Sequence, residues 1–214
     1  ELNTIWTSRR RFWPPMTARS WPLVLLFVIG IAPMMPNWLT PSLPNTHEHF
    51  RYLLIGDWFV EALRAGIGYP RWLPQMNGGF GYPQFVFYQP GYFYVNALAS
   101  LFTDDLLVRQ LLALSFIALV GSLGVYRLAR CFVSRAYAVL AVAAFQLAPY
   151  VHINLYVRGD LSEWMALELA AWPLYFLHLF THPSDDAAGV GRRFKAWVGL
   201  CLSIATVCYC HPVA

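Results

Sequence analysis

Between Trp21 and Leu39 the chain carries no aspartate, glutamate, lysine or arginine. A run this apolar matches the roughly 20 residues that an α-helix needs to cross a bilayer core of about 30 Å. It constrains the fold more than any other feature, because backbone inside lipid must satisfy its own hydrogen bonds and so must be helical unless a closed barrel forms. Leu106–Leu128, Ala136–Tyr150 with its flanks, and Trp197–Tyr209 read the same way, and Trp164–Phe180 is apolar apart from Glu168. Charged residues make up 12% of the 214, against about 25% in soluble domains, which leaves little with which to face water. The expected fold is all-α integral membrane: about five transmembrane helices plus juxtamembrane or re-entrant helices in the first extracytoplasmic loop. The expected organisation is a cytoplasmic N-terminus (1–20), a first span (21–39), an extracytoplasmic loop (40–105) and further spans (106–214). The abrupt ending after an apolar run reads as the N-terminal part of a larger multi-spanning protein.

Two other readings of the N-terminus and the charge fail. Arg9-Arg10-Arg11 and Arg19 precede an apolar run as in a signal peptide, but Pro22, Pro33 and Pro36 interrupt it and no small-x-small cleavage pattern follows. The net charge of +4 comes from short clusters at span ends, which fits topology signals and not a nucleic-acid-binding stripe. Cys131, Cys201, Cys208 and Cys210 have neither CxxC spacing nor a zinc-type histidine pattern, so they read as apolar filler.

Basic residues in short loops mark the cytoplasmic side. The N-terminus, the loop Arg127–Arg135 and the loop carrying Arg192, Arg193 and Lys195 are accordingly placed inside. The loop from Thr40 and the segment Val151–Glu163 then share the outer side. This holds only if Val86–Phe102 does not cross; Gln89, Pro90, Gly91 and Asn96 favour a re-entrant or interfacial piece. Within the first loop, Phe50–Ala65 has the periodicity of an amphipathic helix lying along the membrane, with Asp57, Glu61 and Arg64 on one face.

Four groups of residues could carry chemistry. In Asn45-Thr-His47-Glu48-His49-Phe-Arg51, a carboxylate between imidazoles could serve as a general base or, as Glu48 with His49, help hold a divalent cation such as Mg or Mn. A polar loop at a membrane surface explains the same residues. Asp57 is a second candidate acid; a solvated helix face accounts for it equally. In Arg158-Gly-Asp160-Leu-Ser-Glu163, Arg158 suits a phosphate or an acid, while Glu163 fits the first turn of a helix starting near Asp160 or Ser162. The aromatic and glycine cluster Trp72…Gly78-Gly79-Phe80-Gly81-Tyr82-Pro83 suits sugar rings or lipid headgroups, and interface anchoring serves as well.

Taken in order, His49-Phe-Arg51, Ala62-Leu-Arg-Ala-Gly66, Tyr69-Pro-Arg71-Trp72, Gly79-Phe-Gly-Tyr82-Pro83, Phe87-Tyr-Gln-Pro90 and Arg158-Gly-x-x-x-Glu163 resemble bacterial membrane proteins labelled 6-pyruvoyl-tetrahydropterin-synthase-related. That group is similar in plan to GT-C glycosyltransferases. The resemblance covers about residues 20 to 214. It implies a GT-C-like enzyme of the bacterial inner (plasma) membrane that moves a sugar from a polyprenyl-phosphate donor to an envelope acceptor on the outer face. It implies Glu48 or Asp57 as the catalytic acid, and His47, His49, Arg51, Arg71, Trp72, Tyr82, Arg158 and Glu163 as substrate-binding residues. One departure stands out: relatives often carry aspartate where this chain has Asn45, and an amide cannot act as a base. A non-catalytic scaffold or a glycan- or lipid-binding component of polysaccharide export is therefore the alternative, with a transporter behind it because Glu168 is an intramembrane acid.

Overall fold

The computed structural model describes residues 21–40, 42, 44–182 and 189–211. Arg9 to Arg11 and Arg19, on which part of the sidedness expectation rests, lie outside the described residues. The described chain is helical, and its one β contact is an isolated antiparallel bridge between Leu73 and Tyr82. In order, the helices are α1 (Trp21–Ile31), α2 (Met35–Leu39), α3 (His49–Arg64), α4 (Gln84–Phe87), α5 (Gly91–Ala99), α6 (Leu106–Ala129), α7 (Arg135–Gln146), α8 (Pro149–Ile153), α9 (Leu161–Leu169), α10 (Ala171–Thr181) and α11 (Gly189–Cys210). A 3-10 turn at Ala32–Met34 joins α1 to α2, and a wide π-turn at Asn154–Arg158 extends α8.

Among the described residues, three stretches are long and apolar enough to cross a membrane: Trp21–Leu39, Leu106–Ala129 and Gly191–Cys210. A fourth arises if α7 and Pro149–Arg158, bent by 40° at Leu147-Ala148, are taken as one span. The bend has a sequence cause, since Pro149 starts a new helix and disfavours helical geometry in the residue before it. Trp164–Phe180, expected as one run, is instead divided between α9 and α10 at Ala170. Pro173 lacks the N–H that a continuous helix would direct at the Leu169 carbonyl. Val86–Phe102 holds no helix long enough to cross a membrane. It contributes the end of α4 and the nine residues of α5, which rise about 14 Å, half of a bilayer core.

The longest helix, α6, is the centre of the bundle and packs against α1, α5, α7, α9 and α10. Close approach of α9 depends on Gly121, where a Cβ would lie 2.3 Å from Glu168 Oε2. There the fully buried Glu168 accepts from Gln146 Nε2 at 2.8 Å, and the same amide nitrogen donates to Ser122 Oγ at 3.1 Å. One polar cluster thus ties α6, α7 and α9 together inside an otherwise apolar interior. Many outward-facing residues are also apolar, among them Leu23, Phe27, Val28, Phe116, Leu140 and Leu202, a surface suited to lipid.

The apolar face of α3 turns toward protein where the sequence had it along the membrane. Ile55, Phe59 and Val60 are buried, and Phe59 meets Phe85, Phe93 and Tyr94 with ring centroids 4.9–5.9 Å apart. Tyr52 stacks on Phe93 at 5.3 Å. These rings hold α3 against α5 and fix one wall of the cavity described next.

Candidate functional site

The first loop and the segment before α9 are joined through their backbones. The N–H groups of His47 and Glu48 donate to the carbonyls of Val157 (3.3 Å) and Arg158 (3.1 Å). Gly159 sits at the crossing with φ +71°, and a Cβ there would lie 2.4 Å from Thr46 Oγ1 and 2.8 Å from the His49 nitrogen. Only glycine combines that left-handed backbone with so close an approach. The juxtaposition puts Glu48 and Arg158 at one end of the bundle, as expected if Val86–Phe102 does not cross.

Around this crossing lies a cavity of about 530 Å³, within the range typical of small-molecule sites. Its wall includes His47, Glu48, Arg51 and Tyr52 from the first loop and α3; Gln84, Tyr88 and Gln89 from the stretch before α5; Arg158, Asp160 and Ser162 beside α9; and Cys210 and His211 at the end of α11. Arg51 donates to Glu48 Oε2 at 3.3 Å and to Gln84 Oε1 at 3.4 Å, with its guanidinium 6.0 Å from the Tyr88 ring centroid. The Glu48 side chain is 39% exposed and so is reachable by a ligand.

Opposite stands a tighter cluster. Arg158 grips Glu163 in bidentate fashion, Nη1 to Oε1 at 2.9 Å and Nη2 to Oε2 at 2.7 Å, while Asn154 Oδ1 accepts from Nη1 at 2.9 Å. The Tyr150 hydroxyl also donates to Glu163. Burial works against the Glu163 carboxylate, but the bonds from Arg158 and Tyr150 and the guanidinium charge outweigh it and hold its pKa below the usual range. The bond to Glu163 likewise raises the pKa of Arg158, so this pair stays ionised. Asp160 caps α9 by accepting from the Glu163 N–H at 3.1 Å, as the sequence anticipated for a helix starting here, and Asp160 Oδ1 also accepts from the Tyr52 hydroxyl at 2.9 Å. Burial, then the Asp160 charge, pushes the Tyr52 phenol far above its ordinary pKa, which leaves it a donor at neutral pH.

Sequence-expected residues divide into three groups. His47, Glu48, Arg51 and Arg158 line the cavity, and Glu163 lies directly behind Arg158. Asp57 and His49 point elsewhere. Asp57 accepts from Arg109 on α6 at 3.1 Å, and Arg109 is only 2% exposed, so this acid is held in a structural pair. His49 lines a separate small cavity with Met34, Leu111, Leu114 and Leu155, and both its ring nitrogens are buried without a hydrogen-bond partner. Burial lowers its pKa to about 4, so the ring is neutral. Arg71, Trp72 and Tyr82 form the third group: Arg71 lies over the Tyr69 ring at 5.6 Å, the Trp72 indole covers Gly81, and Tyr82 bridges to Leu73, all outside the cavity wall.

The cation expected between Glu48 and His49 finds no shared seat, because the His49 ring faces the apolar pocket. Among the described residues, ligand atoms of Asp160, Glu163 and His211 lie within 4.8 Å of one another. Two carboxylates and an imidazole suit Mn better than Mg, although Glu163 would have to be shared with Arg158. Sequence reasoning had not singled out Tyr52, Gln84 or His211. Tyr52 carried the faintest signal, one helical turn after Glu48; His211 carried none, being brought in by the full length of α11.

No family model, no curated protein and no solved structure matches this chain.

Proposed function

We propose that the chain is the membrane-embedded part of a GT-C-like glycosyltransferase, which moves a sugar from a polyprenyl-phosphate donor to an envelope acceptor. The observation that carries this reading is the cavity itself. It gathers two carboxylates, Glu48 and Asp160, with two arginines and two histidines at the end of an apolar helical bundle. Basic residues Arg127, Arg130, Arg135, Arg192 and Arg193 belong to the opposite ends of α6, α7 and α11, which supports an outer-face cavity with the N-terminus inside. Five crossings satisfy that arrangement if the bent pair α7–α8 and the broken pair α9–α10 each cross once. The bilayer of a bacterial plasma membrane is then the setting, and a lipid-borne donor reaches the cavity from the side.

In the reaction, Glu48 takes the proton of the acceptor hydroxyl as that oxygen bonds to the anomeric carbon. The bond from the anomeric carbon to the phosphate oxygen breaks, and the departing phosphate is met by Arg51 and Arg158. Glu163 and Asn154 hold Arg158 in place, so they position and do not react. A divalent cation held by Asp160, Glu163 and His211 would add positive charge at the same phosphate. The proton taken by Glu48 passes to solvent through the open side of the cavity.

Asn45 and the Glu48–Arg51 pair favour one other reading, a non-catalytic component that binds a glycan or lipid phosphate in the same cavity. Sugar transfer in membranes separates the two. Glu48→Gln should lower transfer by about 10²–10⁴ if Glu48 is the base. Transfer at the wild-type rate by Glu48→Gln would remove Glu48 from the chemistry, and absence of transfer by the wild type with retained lipid-phosphate binding would favour the non-catalytic reading.

A further inference from the structure

The buried cluster that ties α6, α7 and α9 together holds more acceptor oxygens than its donors can serve. Gln146 Nε2 directs its hydrogens at Glu168 Oε2 (2.8 Å) and Ser122 Oγ (3.1 Å), while Gln146 Oε1 and Glu168 Oε1 are buried without a partner. All three side chains are at 0% exposure. Surplus acceptors with a carboxyl among them call for a cation.

Neighbouring side chains do not supply one. The helices α1, α2 and α5 carry no charged residue. Arg109 and Arg127 of α6 stand 13 and 5 positions from Ser122, Arg135 of α7 stands 11 from Gln146, and Glu163 and His178 stand 5 and 10 from Glu168. Arg192, Arg193 and Lys195 belong to the start of α11. Among the described residues none of these basic groups forms an ion pair with Glu168; Arg109 is held by Asp57, and Glu163 by Arg158. An ionised Glu168 would stand uncompensated in an apolar interior.

The cluster also sits where two interrupted helices stop. Gln146 is the last residue of α7, ahead of the bend at Leu147-Ala148, and Glu168 is the last but one of α9, ahead of the break at Ala170. Helix C-termini present carbonyls and partial negative charge, and Pro173 offers no N–H to the Leu169 carbonyl. Interrupted helices that meet in this way form cation sites near the bilayer midplane. Gln146 lies about 16 Å along α7 from Arg135, close to the middle of a bilayer core. The seat is tight, since a Cβ on Gly121 would lie 2.3 Å from Glu168 Oε2 and one on Gly30 2.9 Å from Ser122 Oγ. Packing this close favours the smallest cation.

We infer that Glu168, Gln146 and Ser122 form an intramembrane proton-binding site, in which Glu168 is the neutral acid at pH 7. The proton bonds to a carboxylate oxygen, turning COO⁻ into COOH, and leaves from the same atom. A half-turn of the Gln146 amide exchanges its oxygen and nitrogen, so one side chain faces either form of the acid across 2.8 Å. This site is separate from the polar cavity and stands whatever the cavity binds. The two are joined through α9, which carries Ser162 of the cavity wall near its start and Glu168 near its end.

Infrared spectroscopy of the detergent-solubilised full-length protein at pH 7 tests the site without needing a ligand to reach it. The wild type should show the C=O stretch of a protonated carboxylic acid. Glu168→Gln should remove that band, Gln146→Leu should move it by deleting the bond to the carboxyl, and Glu48→Gln should leave it in place. No such band in the wild type, its survival in Glu168→Gln, or its loss in Glu48→Gln would overturn the proposal. Loss of the band when sodium chloride replaces choline chloride at equal concentration would overturn the proton in favour of a sodium ion. If Glu168→Gln does not fold, wild-type protein made with glutamate carrying carbon-13 in its side-chain carboxyl decides. The band must then fall in frequency, and an unmoved band would overturn the assignment to a glutamate.

Discussion

His49 shows how far a residue's role depends on the direction of its ring. It follows Glu48 in sequence, yet its imidazole is 2% exposed, unpartnered and neutral, with a pKa lowered to about 4 by burial. The unfolded chain binds a proton near pH 6.5, so between about 6.5 and 4 the unfolded state holds more protons than the folded one. Stability is therefore complete above pH 6.5 and falls as the pH drops toward 4, by on the order of 3 kcal/mol. In detergent, the wild-type unfolding midpoint should fall between pH 6.5 and 5, and His49→Leu should flatten that slope; an unchanged slope would place the acid sensitivity elsewhere. Asp57 gives the complementary case. Asp57→Asn leaves Arg109 buried without its counter-charge, so it should cost roughly 2 kcal/mol of stability, discounted because Asp57 is partly exposed. Sugar transfer per folded molecule should not change, which a transfer assay normalised to folded protein would check.

Among the elements, the crossing at Gly159 is the most sensitive. Gly159→Ala places a methyl against Thr46 and the His49 nitrogen in a left-handed backbone, and should cost more than about 2 kcal/mol while loosening the first loop from α9. Faster proteolysis within residues 42–48 than in the wild type is the expected readout, and equal rates would count against the coupling. Helix existence was legible in the sequence where periodicity or apolar length was strong. Phe50–Ala65 corresponds to α3 at His49–Arg64, and Leu106–Leu128 to α6 at Leu106–Ala129. Interruptions were less legible. The breaks before Pro149 and around Ala170 come from single prolines inside otherwise apolar runs, where mean hydropathy is blind to a missing N–H. The apolar face of α3 could be read, but not what covers it, because the partners of Phe59, namely Phe85, Phe93 and Tyr94, lie 26 to 35 residues further along the chain. For the same reason the site was legible as two short motifs, whereas Tyr52, Gln84 and His211 become part of it only through packing.

For the whole molecule, the arrangement predicts which ends face which side. In a variant lacking the four native cysteines, a membrane-impermeant thiol reagent added to intact cells should label Gly66→Cys and leave Gly191→Cys unlabelled until the membrane is opened. Both positions have open space around them, so access decides the result. Reversed labelling would invert the topology. The backbone bonds from His47 and Glu48 to Val157 and Arg158 also carry a consequence for biosynthesis. They close a loop of about 110 residues that contains the whole of α6 and α7, as the Tyr52–Asp160 separation of 108 positions shows. At translation rates of about 5–20 residues per second, Glu48 leaves the ribosome roughly 5–20 s before Arg158 does. Throughout that interval the first loop holds Glu48 with no opposing wall. The cavity is thus completed only after the intervening helices have been made, so its two walls meet late although one of them is made early.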